Sequence, residues 1–516
     1  MPLDLNPHFS RALELMETTT RPVLITGRAG TGKSTLLRHF RDTTKKKVAV
    51  LAPTGVAALN IEGQTIHSFF LIRPGITLRE AKREGKQAKN NELYKEVETI
   101  VIDEVSMVRA DLLDAVDVFL KAAMGSKKPF GGKQIVMIGD LYQLPPVVRG
   151  DEIEELKQLY ETPYFFSAQV TKDLLASKDG LAFVELEKIY RQKDQNFIEV
   201  LNAVRNCSVT EEHLEILNTR CVDFSEEEII EEAIILTATN KQADQINVAR
   251  LAALPDKKQI YEASFSGKFG DREAPTDELL HLKVNARVMF LNNDSQGRWV
   301  NGSLGTVKRL ADKELVVVLD DGEEVEVEPY TWNLFRFEFD RFTRTLERHK
   351  LGSFSQIPLR LAWAVTIHKS QGKTFDRVAI DLGRGAFAPG QVYVALSRCR
   401  TLRGIFLKQP LRSEHLFLDY RVRKFLTSLQ YGLSAKDLPL KKKIKILEKA
   451  IAQKQTLNMT YLKAKDEKTT REILPIRLAE MEFKGHKFFG LEARCSDKNS
   501  IRNFNVERIL KLEIKK

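Results

Sequence analysis

Cysteine is scarce: the 516 residues contain four, Cys207, Cys221, Cys399 and Cys495, and none stands in a C-x-x-C pair. The nine histidines form no H-E-x-x-H. A disulfide framework or a zinc site is therefore not expected. No apolar run approaches the roughly 18 residues that suggest a membrane span. The N-terminal residues carry no basic-then-apolar signal. There is no internal repeat and no low-complexity tract. What remains is a globular protein of a reducing compartment, expected in the cytoplasm, with no membrane partner.

With 43% hydrophobic residues the chain can bury several cores, and we expect three or four compact units. Lysine plus arginine number 81 against 70 aspartate plus glutamate, a net +11 that suits a polyanion. The excess is local. From Lys441 to Lys516 there are 20 basic and 10 acidic residues, so this segment holds +10 of the total.

Short Val- and Ile-rich runs alternate with helical patterns: Val23 to Thr26, Val48 to Ala52, Thr99 to Asp103, Gln134 to Gly139, Ile234 to Thr237 and Val378 to Leu382. This rhythm predicts parallel sheets flanked by helices, in two α/β domains. Between Ala286 and about Phe342 the texture changes to alternating runs around Asn301-Gly302 and Asp321-Gly322, which are hairpin signals. A small antiparallel barrel inserted into the second domain is expected there. A Lys-rich stretch from Leu71 to Glu96 reads as a surface insertion in the first. The span 434–440, SAKDLPL, reads as a linker. Beyond it come one amphipathic helix and alternating strands, a small β-rich unit.

The segment VLITGRAGTGKSTLL places Gly27, Gly30, Thr31 and Gly32 between a strand and a helix starting at Lys33, the phosphate-binding-loop pattern in its required context. Backbone N–H groups and the helix N-terminus would cradle phosphates, with Lys33 on the β- and γ-phosphates, Ser34 on Mg²⁺ and Thr35 on the α-phosphate side. Later, ETIVIDEVSMV ends a strand in Asp103 and Glu104. That pair alone is equally readable as a solvated strand end. After a phosphate loop, Asp103 becomes a Mg²⁺ ligand and Glu104 the group that orients the attacking water. IGDLYQLPPV puts Asp140 and Gln143 past a third strand at the ligand-binding edge of the sheet, with Gln143 in reach of a γ-phosphate; a turn forced by Pro145 and Pro146 is compatible with this. ATP and Mg²⁺ are the expected cofactors.

Tyr190, Arg191 and Gln192 open the second domain, and Arg398 lies in QVYVALSRCR. Either arginine alone could be an ordinary surface or ion-paired side chain. Two such segments in one domain favour arginines that sense γ-phosphate across a cleft.

GRAGTGKST, APTGVAALNI, GQTIHSFF, IDEVSMV, GDLYQLPPV, IYRQ, LTATN, TIHKSQGKTFD and VYVALSRCR occur in this order. In this the chain, from about Leu13 to Phe425, resembles the superfamily 1 DNA helicases of the RecD-like Pif family. The resemblance implies two RecA-like domains, the first at 1–70 and 97–185 with a wedge insertion at 71–96. The second would span 186–285 and 343–433 with the barrel at 286–342. It implies ATP-driven 5′ to 3′ translocation on single-stranded DNA with duplex unwinding, tailed duplex as substrate, and single-strand-binding or replication and repair proteins as partners of a monomer. It brings Thr54, His67, Ser68, Thr237, Asn240, His368, Lys369 and Ser370 to the DNA, and Gln371 and Gly372 to ATP. Short hydroxyl, amide and imidazole groups suit contacts to phosphate and sugar that read no sequence. The chain departs from the family in having no glutamine among residues 1 to 26 to read adenine; Asn6 is the candidate substitute.

Residues 441–516 resemble a WYL domain, an Sm-like barrel, through Tyr461, Arg471, Pro475, FGLEARC and RNFNVERI, with Phe489, Gly490 and Leu491 where the family often has Trp-Tyr-Leu. Arg471, Arg494, Arg502 and Arg508 form the expected anion-binding face, for single-stranded DNA. A solvated basic surface over a core of Phe489 and Phe504 is the alternative. For the whole chain, an ATP-switched nucleic-acid-binding regulator without motor activity is the second reading.

Overall fold

The computed structural model describes residues 5–148, 150–177, 180–224, 233–269, 274–311, 314–340, 342–383, 385–463, 466–483, 485–496 and 500–514. The chain forms two compact units, Met1–Val204 with Thr210–Phe417, and Arg205–Val209 with Leu418–Lys516. No helix among the described residues is long and apolar enough to cross a membrane.

The first unit is built on two parallel sheets. In one, the strands run in the order Gln64–Thr65, Val48–Ala52, Thr99–Ile102, Gln134–Gly139, Val23–Gly27 and Ala182–Leu186. Val23–Gly27 is buried throughout, as a strand covered on both faces must be, and helices Pro7–Thr18 and Lys33–Thr43 contribute Phe9, Met16, Leu36 and Phe40 to its core. Its neighbour Gln134–Gly139 runs in register, Thr26 beside Gly139. The loops carrying Lys33, Asp103 and Asp140 therefore leave the same sheet edge. The second sheet orders Ala364–Thr366, Ile234–Thr237, Val378–Asp381 and Ile405–Leu407, again parallel.

The antiparallel insertion is larger than its turn signals suggested. Its strands extend from Gln259 to Leu361 rather than from 286 to 342. Glu324–Glu326, Glu314–Leu319, Leu304–Ala311, Arg287–Phe290 and Leu359–Leu361 make a five-stranded sheet, and Gly322 (φ +92°) turns between two of them as expected. Leu359–Leu361 pairs with Arg287–Phe290, a long-range pairing that no local pattern announces. A long hairpin, Tyr330–Asp340 with Thr345–Gln356, pairs with Ser264–Gly267. It reaches the first sheet's edge strand and the helix after it: the Phe337 N–H donates to Gln64 Oε1 at 3.2 Å and its ring meets Phe69 edge-on.

Between Leu71 and Glu96 the expected surface excursion is a packed element. Helix Leu78–Gln87, started by a reciprocal Thr77–Glu80 cap, lies on helix Ala110–Met124. A Cβ on Gly85 would fall 2.3 Å from the Phe119 carbonyl oxygen, so glycine sets the approach. Tyr94 is buried and donates to the Phe69 carbonyl at 2.7 Å.

In the second unit, helices Tyr420–Asp437 and Leu440–Ala452 accompany a five-stranded antiparallel sheet ordered Ser500–Asn505, His486–Cys495, Lys468–Phe483, Leu457–Leu462, Ile509–Ile514. The expected linker at 434–440 is helical through Asp437, leaving only Leu438 and Pro439 between the helices. Ser434 explains this, being buried with its hydroxyl donating to the Ile509 and Leu510 carbonyls.

Candidate nucleotide and nucleic-acid site

The loop after Val23–Gly27 requires glycine for two reasons. Gly30 (φ +78°) and Gly32 (φ +84°) occupy the left-handed region, and a Cβ on Gly30 would lie 2.5 Å from Arg191 Cβ. Helix Lys33–Thr43 follows at once, so its N-terminal N–H groups point into the loop. Lys33 Nζ donates to the Gly27 and Arg28 carbonyls at 2.8 and 2.9 Å. Burial lowers its ammonium below the usual lysine range, while Asp140, Glu104 and Asp103 oppose that shift. Ser34 and Thr35 are exposed on the first turn, and Thr31 is buried.

Asp103 Oδ1 accepts the Glu104 N–H at 2.9 Å, and Glu104 sits at φ +50°. Burial raises the Asp103 carboxyl. Burial and the adjacent Asp103 charge raise Glu104 to about 7. Asp140, fully buried, accepts the Tyr142 N–H and the Gln143 side-chain amide, both at 3.2 Å.

The second sheet's segments close on these groups. Arg191 Nη1 donates to the Ser397 carbonyl at 3.0 Å, and Gln192 Nε2 to the Ser397 and Cys399 carbonyls. Burial lowers the Arg191 guanidinium, as it does Arg398, which falls to about 9. Arg398 is held by the Val394, Ser370 and Lys373 carbonyls and the Ser397 hydroxyl, within electrostatic reach of Glu104 and Asp140. Gln371 Nε2 donates to Gln143 Oε1 at 3.2 Å. Lys33, Glu104, Gln143, Arg191 and Arg398 thus converge on one cleft, although they come from five separate segments.

Residues 10–215 match the PIF1-like helicase model and 442–514 the WYL domain model. The ATP-dependent DNA helicase Pif1 of Bdellovibrio bacteriovorus is 33% identical over 419 residues, 78% of this chain and 88% of that protein. The chain belongs to the PIF1-like helicase family. The human ATP-dependent DNA helicase PIF1 is 35% identical over 428 residues, 80% of this chain, which spans only 62% of that longer relative. Pif1 from Bacteroides sp, solved with ADP-AlF4, matches with a TM-score of 0.75 at 37% identity over 83% of this chain and 97% of that one. The same relative bound to ssDNA matches with a TM-score of 0.59 at the same identity and coverage.

In this PIF1-like chain the expected nucleic-acid residues fall into two groups. Thr54 is exposed and caps helix Gly55–Asn60, accepting the Ala57 N–H. His67 and Ser68 lie on helix Ile66–Phe70, and burial lowers the His67 imidazole. Burial likewise lowers His368 and Lys369, on the turn after Ala364–Thr366. Asn240 is exposed at the start of helix Asn240–Ala253, and Gly372 (φ +76°) is exposed beside Gln371. Thr237 and Ser370 behave otherwise. Both are buried, with hydroxyls donating to the Thr239 and Ile367 carbonyls, so they shape their turns rather than face a strand of DNA. Exposed Thr239 caps helix Asn240–Ala253, accepting the Gln242 N–H.

Several participants escaped the sequence reading. Gln64 ties Ser68 to the long hairpin through its two amide ends. Asn301 links Lys373 to Asn60, receiving the first's ammonium at 2.6 Å and donating to the second at 3.0 Å. Asn6, the expected substitute for the missing glutamine, donates through its amide to Tyr190 Oη at 2.9 Å, and the Tyr190 ring lies 3.9 Å from where a Gly32 Cβ would be. Of Gln64 and Asn301, only Asn301, beside a turn glycine, carried a usable signal.

The four tail arginines do not share a face. Directly paired residues point to one side of a sheet. Arg471 pairs with buried Met459 and Arg502 with buried Ala493, on the covered side, whereas Arg494 alternates to the opposite, exposed side. Arg508 lies on the turn Val506–Arg508. Phe504 is core, edge-on to Tyr461. A Cβ at Gly490 would lie 2.4 Å from the Met481 sulfur, so methionine occupies the room a larger side chain would need.

Proposed function

We propose that this chain is an ATP-dependent DNA helicase that moves 5′ to 3′ on single-stranded DNA and unwinds duplex from a 5′ tail. The observation carrying this reading is the Gln371–Gln143 contact at 3.2 Å, which joins the segment bearing His368 and Lys369 to the loop facing the γ-phosphate. A simple ATP switch would need no such bridge. The identities to relatives named as ATP-dependent DNA helicases support it over most of the chain. Two RecA-like domains would lie before and after Leu186, the second interrupted by the antiparallel insertion.

At the phosphates, Lys33 would leave the loop carbonyls for β- and γ-oxygens. Glu104, once deprotonated, orients the attacking water and receives its proton, while Gln143 and Arg191 hold the γ-phosphate and Arg398 adds positive charge near Glu104. The residues fit magnesium: Ser34 and Asp103 supply hard oxygens beside the phosphate loop, and Asp103 Oδ1 is held by the Glu104 N–H. The bound ion would neutralise phosphate charge. No group of three or more His, Cys, Asp or Glu among the described residues competes as a metal site.

Single-stranded DNA would run over Thr54, His67, Ser68, Asn240, His368 and Lys369, and the basic second unit would add hold through exposed Arg494. Tyr190 with Asn6 offers an adenine platform beside the loop. Single-strand-binding or replication and repair proteins are the fitting partners of a monomeric, nucleoid-associated motor. Steady-state ATP hydrolysis with and without a single-stranded oligonucleotide, followed by unwinding of 5′- and 3′-tailed duplexes, tests the reading. DNA-stimulated turnover with separation of the 5′-tailed duplex is expected. DNA binding without either would favour the ATP-switched regulator.

A further inference from the structure

One buried hydroxyl at the centre of the cleft has no role in the account above. Tyr393, on helix Gln391–Leu396, is 4% exposed. Its Oη accepts the Ala29 N–H at 3.1 Å and donates to Asp140 Oδ2 at 3.1 Å. Ala29 belongs to the loop whose backbone N–H groups should converge on phosphate oxygens. A phenol from the second sheet's side therefore satisfies an N–H of the phosphate loop.

The helix is held where this can happen. Gly390, at its N-cap, presses so closely on the Tyr142–Gln143 backbone that a Cβ would lie 2.3 Å from one carbonyl oxygen and 2.9 Å from the other. Tyr393 follows three residues later on the same helical face, and Ser397, four further on, offers its carbonyl to Arg191 and Gln192. This one face touches the phosphate loop, the Asp140–Gln143 loop and the Arg191 segment.

We propose that Tyr393 is a γ-phosphate sensor, its hydroxyl holding the terminal phosphate's place between the Ala29 N–H and Asp140. A hydroxyl has one proton to donate. When ATP binds, the phosphate takes the Ala29 N–H, and Tyr393 turns its proton from Asp140 to a γ-oxygen. Asp140 keeps the Tyr142 N–H and the Gln143 amide. ADP, which ends at the β-phosphate, leaves the original contacts in place. The helix that carries Tyr393 leads directly into Arg398, so the exchange reports the nucleotide state to the second sheet.

This inference rests on reading the cleft as an ATP site. Its test compares Tyr393→Phe with the unaltered full chain for binding of magnesium ADP and of ADP with aluminium fluoride, by calorimetry. Phenylalanine keeps the ring's packing. ADP affinity should stay within about twofold, while affinity for the fluoride complex falls by about ten- to a hundredfold, as for a lost charge-assisted hydrogen bond. Equal losses for both ligands, or no loss for either, would overturn it. A second measurement needs no variant: amide exchange across residues 390–397 of the unaltered chain should differ between ADP and its fluoride complex, and identical exchange would also overturn the assignment. Both readouts are binding measurements, so they judge Tyr393 separately from whether turnover drives unwinding.

Discussion

Gln371 and Gln143 meet across the cleft, side-chain amide to side-chain carbonyl, at 3.2 Å. One residue follows the turn expected to hold DNA, and the other follows the strand expected to face γ-phosphate. Gln371→Ala should therefore lower DNA-stimulated hydrolysis by about tenfold while DNA affinity without nucleotide stays within about twofold, consistent with loss of one or two hydrogen bonds. Titrating the oligonucleotide against turnover and against fluorescence anisotropy separates the two. A parallel loss of affinity and turnover would argue against a coupling role.

Lys33 Nζ rests on the phosphate loop's own Gly27 and Arg28 carbonyls. Lys33→Ala should reduce turnover by at least about a thousandfold and leave most DNA binding intact, since phosphoryl transfer depends on charge stabilisation at this point. Retained turnover in a coupled ATPase assay would contradict its assignment.

Glu104 is held protonated up to about pH 7 in the nucleotide-free protein. The acid limb of kcat/KM should accordingly lie near 7, with activity rising as the carboxylate forms. The same shift has the opposite sign for stability. The folded state binds a proton that the unfolded chain releases near 4.5, so folding stability falls as pH rises from there to about 7. Glu104→Gln should abolish hydrolysis and stabilise the nucleotide-free protein at pH 8 by about 1 to 2 kcal/mol. Thermal melts at pH 5 and pH 8 check this, and a gain at pH 5 equal to that at pH 8 would contradict it.

Arg191 and Arg398 should separate function from folding. Arg191 is only half-buried and has one carbonyl partner from the facing segment, so Arg191→Lys should cut turnover by about a hundredfold with little change in melting temperature. Arg398 is 1% exposed and satisfied by three carbonyls and a hydroxyl. Arg398→Lys should cost about 2 to 4 kcal/mol of stability as well as activity, because an ammonium cannot fill that fork. Denaturant melts alongside turnover distinguish the two.

In the second unit, replacing exposed Arg494 by glutamine should weaken binding of a single-stranded oligonucleotide. If it contacts one phosphate, the slope of log affinity against log salt becomes shallower by about 0.7. The same change at Arg471 and Arg502, on the covered face, should do less. Equal effects at all three positions would favour a diffuse basic surface.

Local sequence carries what is written in contiguous residues. The parallel strands were legible because apolar runs buried on both faces need no partner to be recognised, and the phosphate loop because glycines at fixed spacing between strand and helix have few other uses. The second unit was legible as an alternating, β-rich segment. The helix in place of the expected linker before it was not, because Ser434 is tied to a carbonyl 75 positions away.

Other features depended on packing between distant segments. Leu359–Leu361 joins the insertion by pairing with Arg287–Phe290, some 70 residues earlier in the chain. Thr237 and Ser370 turn inward because neighbouring carbonyls claim their hydroxyls. The tail arginines split between two faces because strand register, not charge, sets side-chain direction. Tyr393 meets Ala29 across 364 residues of chain. Contiguous residues specified which segments were candidates for binding nucleotide and which residue types would serve there, since backbone turns and side-chain chemistry are local properties. Which side chains meet was settled in three dimensions, because a hydrogen bond needs its two atoms within about 3 Å and that distance depends on the packing of everything between them.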